Sequence, residues 1–268
     1  MPLILERPFP TDFEAEFHAL QPEQGLGEEV DVWLERLADH GFVAARGIHL
    51  AQADNLSAIA HDPKVVEYCP NDRKTRFATV EMQRKWVGTE TGRAAIGMYH
   101  PDGQRGAIDL RDLPKITAHD VTQVAHGWGG KKLNGRIVGA DVTTAYRVGS
   151  EGSRHARESR KSPEDRFSLG YPLGLLVVEN LVRYHGVPKP MISLENWESN
   201  DSARHLYDVL GFHEVSGVPR VYDVRPTLYP AGTYINGYEV RYQRDEQTGL
   251  RLPEREVADW RVFQVHDA

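Results

Sequence analysis

Val30, Trp33, Leu34 and Leu37 recur at spacings of three and four residues and the series stops at Gly41, a pattern that predicts an amphipathic helix. Ahead of it Phe13 and Phe17 share one helical face. Residues 1–46 therefore read as a helical N-terminal extension whose apolar faces need cover, either from the rest of the chain or from a second copy in a homodimer. A second helical pattern opens at Asp54-Asn55 and runs through Leu56 and Ile59, followed by Val65, Val66 and Tyr68. Thr79 stands as the N-cap of a third, which carries Met82, Trp86 and Val87.

The period then changes from helical to alternating. Arg93 to Tyr99 predicts a strand, Pro101-Asp102-Gly103 a turn, and Gly106 to Leu110 the strand that pairs back. The β-prone run from Gly135 to Val148 leads into a charged stretch ending near Arg166, which reads as a loop. Gly170-Tyr171-Pro172-Leu173-Gly174 opens an apolar helix through Leu175, Leu176, Val177, Val178, Leu181 and Val182, closed by Gly186 and Pro188. Met191 to Leu194 is a short buried strand, Asn200 caps a helix from Asp201 to Leu210, and Gly211 ends it. Strand-like runs at Phe212–Val215, Arg220–Val224, Thr233–Tyr242 and Trp260–Val265 complete the chain. The alternation predicts a mixed α/β (α+β) layer design with no internal repeat.

Composition narrows the classes. With 268 residues and 40% hydrophobic positions the chain can bury a core, as one large domain or one domain with elaborations. Its 32 Lys and Arg against 39 Asp and Glu leave a net charge of −7, a poor basis for gripping a phosphate backbone, so nucleic acid is not an expected partner. The single cysteine, Cys69, excludes an intramolecular disulfide and a cysteine-based zinc site, and its Tyr-Cys-Pro setting offers no neighbouring base. No apolar run has the length of a membrane span or a signal h-region, so the expectation is a cytoplasmic protein that does not engage a membrane.

Three segments invite chemistry. The start of the helix at Gly170 to Gly174 would present unpaired N–H groups and a partial positive charge, and glycine there lets a pyrophosphate approach the backbone. Ala125-His126-Gly127-Trp128-Gly129-Gly130-Lys131-Lys132 lacks the first Gly and the final Ser/Thr of a phosphate loop, and predicts a hairpin turn or a substrate-side loop. The twelve histidines show no metal-ligand spacing, so no metal is expected. The third segment is Asn200-x-x-Ala203-x-x-x-Tyr207-x-x-x-Gly211-Phe212, which follows directly on the strand 191–194. Ala203 provides a small face, and Tyr207 lies one turn further on the same side.

This last combination resembles the GNAT superfamily of acyl-CoA-dependent N-acetyltransferases, over about Gly47 to Val224 and most clearly from Val142 to Phe212. The resemblance implies a mixed, mostly antiparallel sheet with a central splayed parallel pair, made by 142–148 and 191–194, with helices on both faces. It also implies residues 47–268 as the acyltransferase domain, with an elaborated C-terminal β region at about 226–268. Acetyl-CoA would be the cosubstrate and the acceptor an amine-bearing small molecule or a protein amine. The strand bearing Tyr146 and Val148 would hydrogen-bond the pantetheine arm. The family's phosphate-cradling loop corresponds to Phe167-Ser168-Leu169-Gly170-Tyr171-Pro172, where Phe167 replaces a Gln or Arg although Arg166 is adjacent, and Pro172 replaces a small residue. Since proline has no N–H, the cradle would fall to Gly170, Tyr171, Leu173 and Gly174.

By the same resemblance Tyr207 protonates the departing thiolate and Asn200 contacts the cosubstrate. Glu195, at the end of its strand, is the candidate base for the amine, with Asp141, His126 and Tyr146 behind it. Arg154, Arg157, Arg160 and Lys161 could clamp phosphates, although acidic residues are interleaved with them. The departures at Phe167 and Pro172 leave open a second reading, a CoA-binding regulatory or interaction module without turnover. A nucleotide-binding protein built on Gly170 to Gly174 is a third.

Overall fold

The structure is a computed structural model. It describes residues 17–68, 79–187 apart from 90–91, 93, 104–105 and 132–141, then 192–197, 201–216, 234–235, 238–239, 242–244, 251–253 and 260–265. Twelve strands are assigned among these residues: β1 (His18–Ala19), β2 (Val43–Arg46), β3 (Ile96–Pro101), β4 (Val121–Lys131), β5 (Val142–Val148), β6 (Ile192–Trp197), β7 (Phe212–Ser216), β8 (Tyr234–Ile235), β9 (Tyr238–Glu239), β10 (Tyr242–Arg244), β11 (Arg251–Pro253) and β12 (Trp260–Val265). Eight of them form one sheet in the order β1-β2-β3-β4-β5-β6-β12-β7. Its ladders are antiparallel except between β5 and β6, which run parallel. The mixed, mostly antiparallel sheet with a central parallel pair is thus the observed architecture.

The helices are α1 (Glu28–Asp39), α2 (Ala53–His61), α3 (Pro63–Tyr68), α4 (Val80–Val87), α5 (Ser150–Glu158), α6 (Gly170–Glu179) and α7 (Asp201–Val209). They cover both faces of the sheet. Leu34 and Leu37 of α1 join Leu173, Leu176, Val177 and Leu181 in one core, while Leu56, Ala60, Trp86 and Val87 of α2 and α4 pack with Trp128 in another. Side chains alternate across a strand, and so β4 divides its residues between the two. Trp128 goes to α2 and α4, whereas Gly127 and Gly129 face α6, where a Cβ would lie 2.8 Å from Val177 and 2.6 Å from Leu181. The glycine-rich run that suggested a loop is therefore the middle of a strand, stripped of side chains so that a helix can lie close on it.

α6 is apolar all round, as a helix buried between a sheet and other helices must be. It continues into a wider π-helical turn, Asn180–Tyr184, which brings the buried Asn180 into the core. There its Nδ2 donates to the Ala94 carbonyl at 3.1 Å and its Oδ1 accepts from Arg46 Nε at 2.8 Å, so both ends of the amide are satisfied.

Several elements differ from the sequence expectation, each for a local reason. Gly106 to Leu110 does not pair with β3. Asp109 accepts from the Arg111 amide and starts a 3-10 helix, Leu110–Lys115, and β4 takes the place beside β3. Phe17 precedes the short edge strand β1 instead of lying on a helix, while Phe13 falls outside the described residues. α1 ends at Asp39, two residues before the positive-φ Gly41, and β2 follows as a strand of the sheet. The charged stretch after Val148 holds a helix, α5, whose N-cap Gly149 has no side chain to cap it. Asp62, at the end of α2, does so from across the molecule, accepting from the Ser150 amide at 2.6 Å and its hydroxyl at 2.8 Å.

Gly41 is a position where backbone freedom is required. Its φ is +79°, and a Cβ there would lie 2.6 Å from the Gly106 carbonyl oxygen. Gly103 has φ +71° with open space around it. Gly41→Ala should cost about 2 kcal/mol or more, combining left-handed strain with a backbone clash, and Gly103→Ala about 1 kcal/mol. Urea denaturation of the two variants side by side measures this, and equal losses would show that the clash at Gly41 is relieved.

Candidate functional site

Among the described residues the parallel ladder between β5 and β6 has two residue pairs, Val142 with Ile192 and Thr143 with Ser193. Beyond them the facing edges part, and each strand keeps the partner on its other edge. β5 stays on β4 to the end, pairing Tyr146 with Gly127 and Val148 with Ala125, and β6 runs on beside β12 as far as Trp197. A wedge thus opens toward the C-terminal ends of both strands, where an edge of β5 is turned away from any ladder with β6.

Tyr146 sits on the α6 side of β5, against Gly127. Burial raises its phenol above the ordinary range, opposed by the hydrogen bond that its hydroxyl donates to Thr144 Oγ1 at 3.1 Å. The ring of Tyr207, from α7, lies 6.3 Å from that of Tyr146 and 6.2 Å from Phe212. Tyr207 is 9% exposed, so its ring belongs to the core that α6 and β5 share. The start of α6 is alongside, since the position of a Cβ on Gly170 is 3.5 Å from Leu206 of α7. Tyr146, Tyr207 and Gly170, drawn from three elements, therefore gather on one side of the wedge.

The N-terminus of α6 supplies fewer N–H groups than expected. Leu169, its N-cap residue, has no polar side chain to offer. Pro172 has no N–H, and that of Leu173 is bonded to the Leu169 carbonyl at 3.1 Å. The amides of Gly170 and Tyr171 are left in the first turn to face an anion. Gly174 has a packing role, because a Cβ there would run into Leu210. The side chain of Tyr171 points to α1, where its hydroxyl donates to Glu29 and its ring lies 5.2 Å from Trp33. Burial first and Glu29 second push that phenol up to about 12.

Other expected residues are placed as follows. Val148 ends β5, and the next amide, Gly149, donates to the Val124 carbonyl at 3.1 Å. Arg166 is exposed beside the α6 entry. Glu195 occupies the middle of β6 opposite Val262 of β12. Asn200 and Asp141 fall outside the described residues. The basic residues do not form a phosphate clamp: Arg154 pairs with Glu158 and Glu151, Lys161 with Asp39, and Arg160 donates twice to the Phe167 carbonyl. His126 lies on the opposite face of the sheet, stacked on Trp128 at 5.3 Å. Burial, with Arg147 adding to it, pushes its imidazole down to about 3, so at neutral pH it is a weak base for an ammonium proton.

Sequence reasoning did not single out Thr144 or Asp165. Thr144 is buried and fixes the Tyr146 hydroxyl, and Asp165 anchors the segment before α6. Neither lies in a motif, so nothing short of the folded chain distinguishes them from other Thr and Asp residues. Among the described residues no group of His, Cys, Asp and Glu is arranged to hold a metal ion, and no helix is long and apolar enough to cross a membrane.

No protein-family model matches the sequence, and no curated protein matches it. Solved structures do. A GNAT-family acetyltransferase from Streptococcus pneumoniae is 11% identical with a TM-score of 0.45, covering 84% of this chain and 99% of its own. One from Bacillus anthracis is 7% identical at TM-score 0.42, over 84% and 93%. Arabidopsis thaliana NAA60, solved in complex with a bisubstrate analogue, is 13% identical at TM-score 0.38, over 84% and 99%.

Burial also lowers His185, to about 4, with Arg46 contributing. An unfolded imidazole titrates near 6.5, so both histidines bind protons more readily in the unfolded chain, and stability present above that pH is lost as pH falls through 6.5 toward 4. From pH 7 to pH 5 each should remove up to about 2 kcal/mol. Urea midpoints across that range should fall, less steeply in His126→Gln. An unchanged slope in that variant would mean that His126 is charged in the fold.

Proposed function

We propose that the chain is an N-acetyltransferase, moving an acetyl group from acetyl-CoA to an amine by direct attack. The observation that carries this reading is the parting of β5 from β6 after Thr143, with Tyr207 and the start of α6 on one side of the opening. Such a wedge suits an extended, amide-bearing arm, which can take the place of the missing strand along β5 from Tyr146 to Val148. Gly170 and Tyr171 would hold the pyrophosphate through their amides, with Arg166 near enough in sequence to add a charge. The feature of this turn that fits the group is the pair of amides at the head of a buried helix.

In the reaction the amine nitrogen attacks the thioester carbonyl, the C–S bond breaks, and sulfur leaves with a proton from Tyr207. A phenol carries that proton at neutral pH. An alkyl ammonium with a pKa near 10.4 is only about one part in a thousand neutral at pH 7.4, so a proton acceptor is needed, for which Glu195 or ordered water is the proposal. Holding nucleophile and carbonyl together supplies most of the acceleration. We assign the acceptor no further than an amine-bearing small molecule or a protein amine.

The single polar gap at Pro172 gives the CoA-binding module without turnover a specific basis, and one measurement separates the two. The 268-residue chain, given acetyl-CoA and a mixed amine and peptide library, should release free thiol and add one acetyl mass to a component of the library. Tyr207→Phe should slow thiol release by about a hundredfold while leaving acetyl-CoA affinity nearly unchanged. Binding without thiol release, and no effect of Tyr207→Phe, would establish the module instead.

A further inference from the structure

We infer that Asp165 is a positioning residue for the N-terminal turn of α6, and through that turn for acyl-CoA; the second clause rests on the function proposed above. The segment 159–169 joins α5 to α6 without helix or strand, and within it the Asp165 amide donates to the Ser162 carbonyl at 3.1 Å. Asp165 organises it. Its Oδ1 accepts from the Phe167 amide at 3.1 Å and from Arg36 Nη2 of α1 at 3.0 Å. Its Oδ2 accepts from the Lys161 amide at 3.3 Å and lies 3.3 Å from His40 Nε2, just past the end of α1. One carboxylate thus closes the loop on itself and ties it to α1.

The neighbouring contacts reinforce the tie. The His40 ring stacks on Phe167 at 3.8 Å and 4°, and its Nδ1 lies 3.1 Å from the Ser159 carbonyl oxygen. Arg160 donates through Nε and Nη2 to the Phe167 carbonyl at 3.1 and 3.0 Å. Phe167 is fully buried, and so both its backbone polar groups need partners inside the loop, which Asp165 and Arg160 provide. Three residues beyond it, Gly170 begins α6. Where the loop sits therefore fixes where the amides of Gly170 and Tyr171 point.

The charge of Asp165 is what the site requires. Burial of the carboxyl opposes ionisation, but the amides of Lys161 and Phe167, then Arg36 and His40, outweigh it and hold the pKa below the ordinary carboxylate value. An amide of the same size would accept with one atom only and turn an NH2 toward groups that are themselves donors.

The test is Asp165→Asn in the 268-residue chain, with Arg36→Gln as a milder partner because the Arg36 side chain is 40% exposed. Without ligand, hydrogen exchange at the bonded amides within 161–171, Lys161 and Phe167 first, should quicken by about tenfold while β3 and β4 stay protected. With acetyl-CoA, the dissociation constant and KM should rise by about tenfold and kcat at saturation should stay within about threefold. The double variant should be hardly worse than Asp165→Asn alone, because one network is lost once. Unchanged exchange in 161–171 would overturn the positioning role, as would a rise spread evenly over the sheet, which marks general destabilisation. If wild-type chain fails to bind acetyl-CoA, the function proposed above falls, and the exchange result still decides what Asp165 does to α6.

Discussion

Two parallel strands can share a ladder only while their backbones run side by side, and β5 and β6 cease to do so after Thr143 and Ser193. Everything distinctive in the molecule follows from their parting. β6 is held on its other edge by β12, from Ser193 to Trp197, and β12 lies between β6 and β7 and so extends the sheet past the parting. β5 remains anchored to β4 along its whole length and cannot follow. The opening between them is held by the hydrogen bonding on either side.

That opening is useful because of what surrounds it. α6 lies close on β4 because Gly127 and Gly129 carry no side chain on that face, and the close approach brings the start of α6 to the same end of the sheet as the parting strands. α7 packs beside it, with Leu210 against Gly174, and carries Tyr207 to within 6.3 Å of the Tyr146 ring. Small residues thus act at two levels. They set the spacing of layers, and the spacing sets which side chains meet.

Much of this was legible in the sequence. The periodicity of Val30, Trp33, Leu34 and Leu37 gave α1, the cap at Thr79 is made as expected by accepting from the Met82 amide, and the run from Gly170 gave α6. Local signals fail where the partner of a residue is distant. α5 lacks a cap residue of its own because Asp62 provides one from 88 positions away. The glycines of β4 look like a turn until α6 is placed on them. The pairing of β3 could not be read because Asp109 starts a tight helical turn where a hairpin strand was expected, and the true partner begins only at Val121.

The same division holds at the candidate site. Gly170 stood out by its place at the head of an apolar helix, and Tyr207 through the family resemblance that its motif carries. What the sequence could not determine is which amides in that turn remain available, and why Gly174 is glycine. Those depend on Leu169 taking the Leu173 amide and on Leu210 pressing against Gly174. Short-range hydrogen bonding and periodicity are properties of neighbours in the chain and are written in their order. The wedge, the clasp of Asp165 on α1 and the meeting of Tyr146 with Tyr207 are properties of surfaces brought together by burial, and only the tertiary structure decided them.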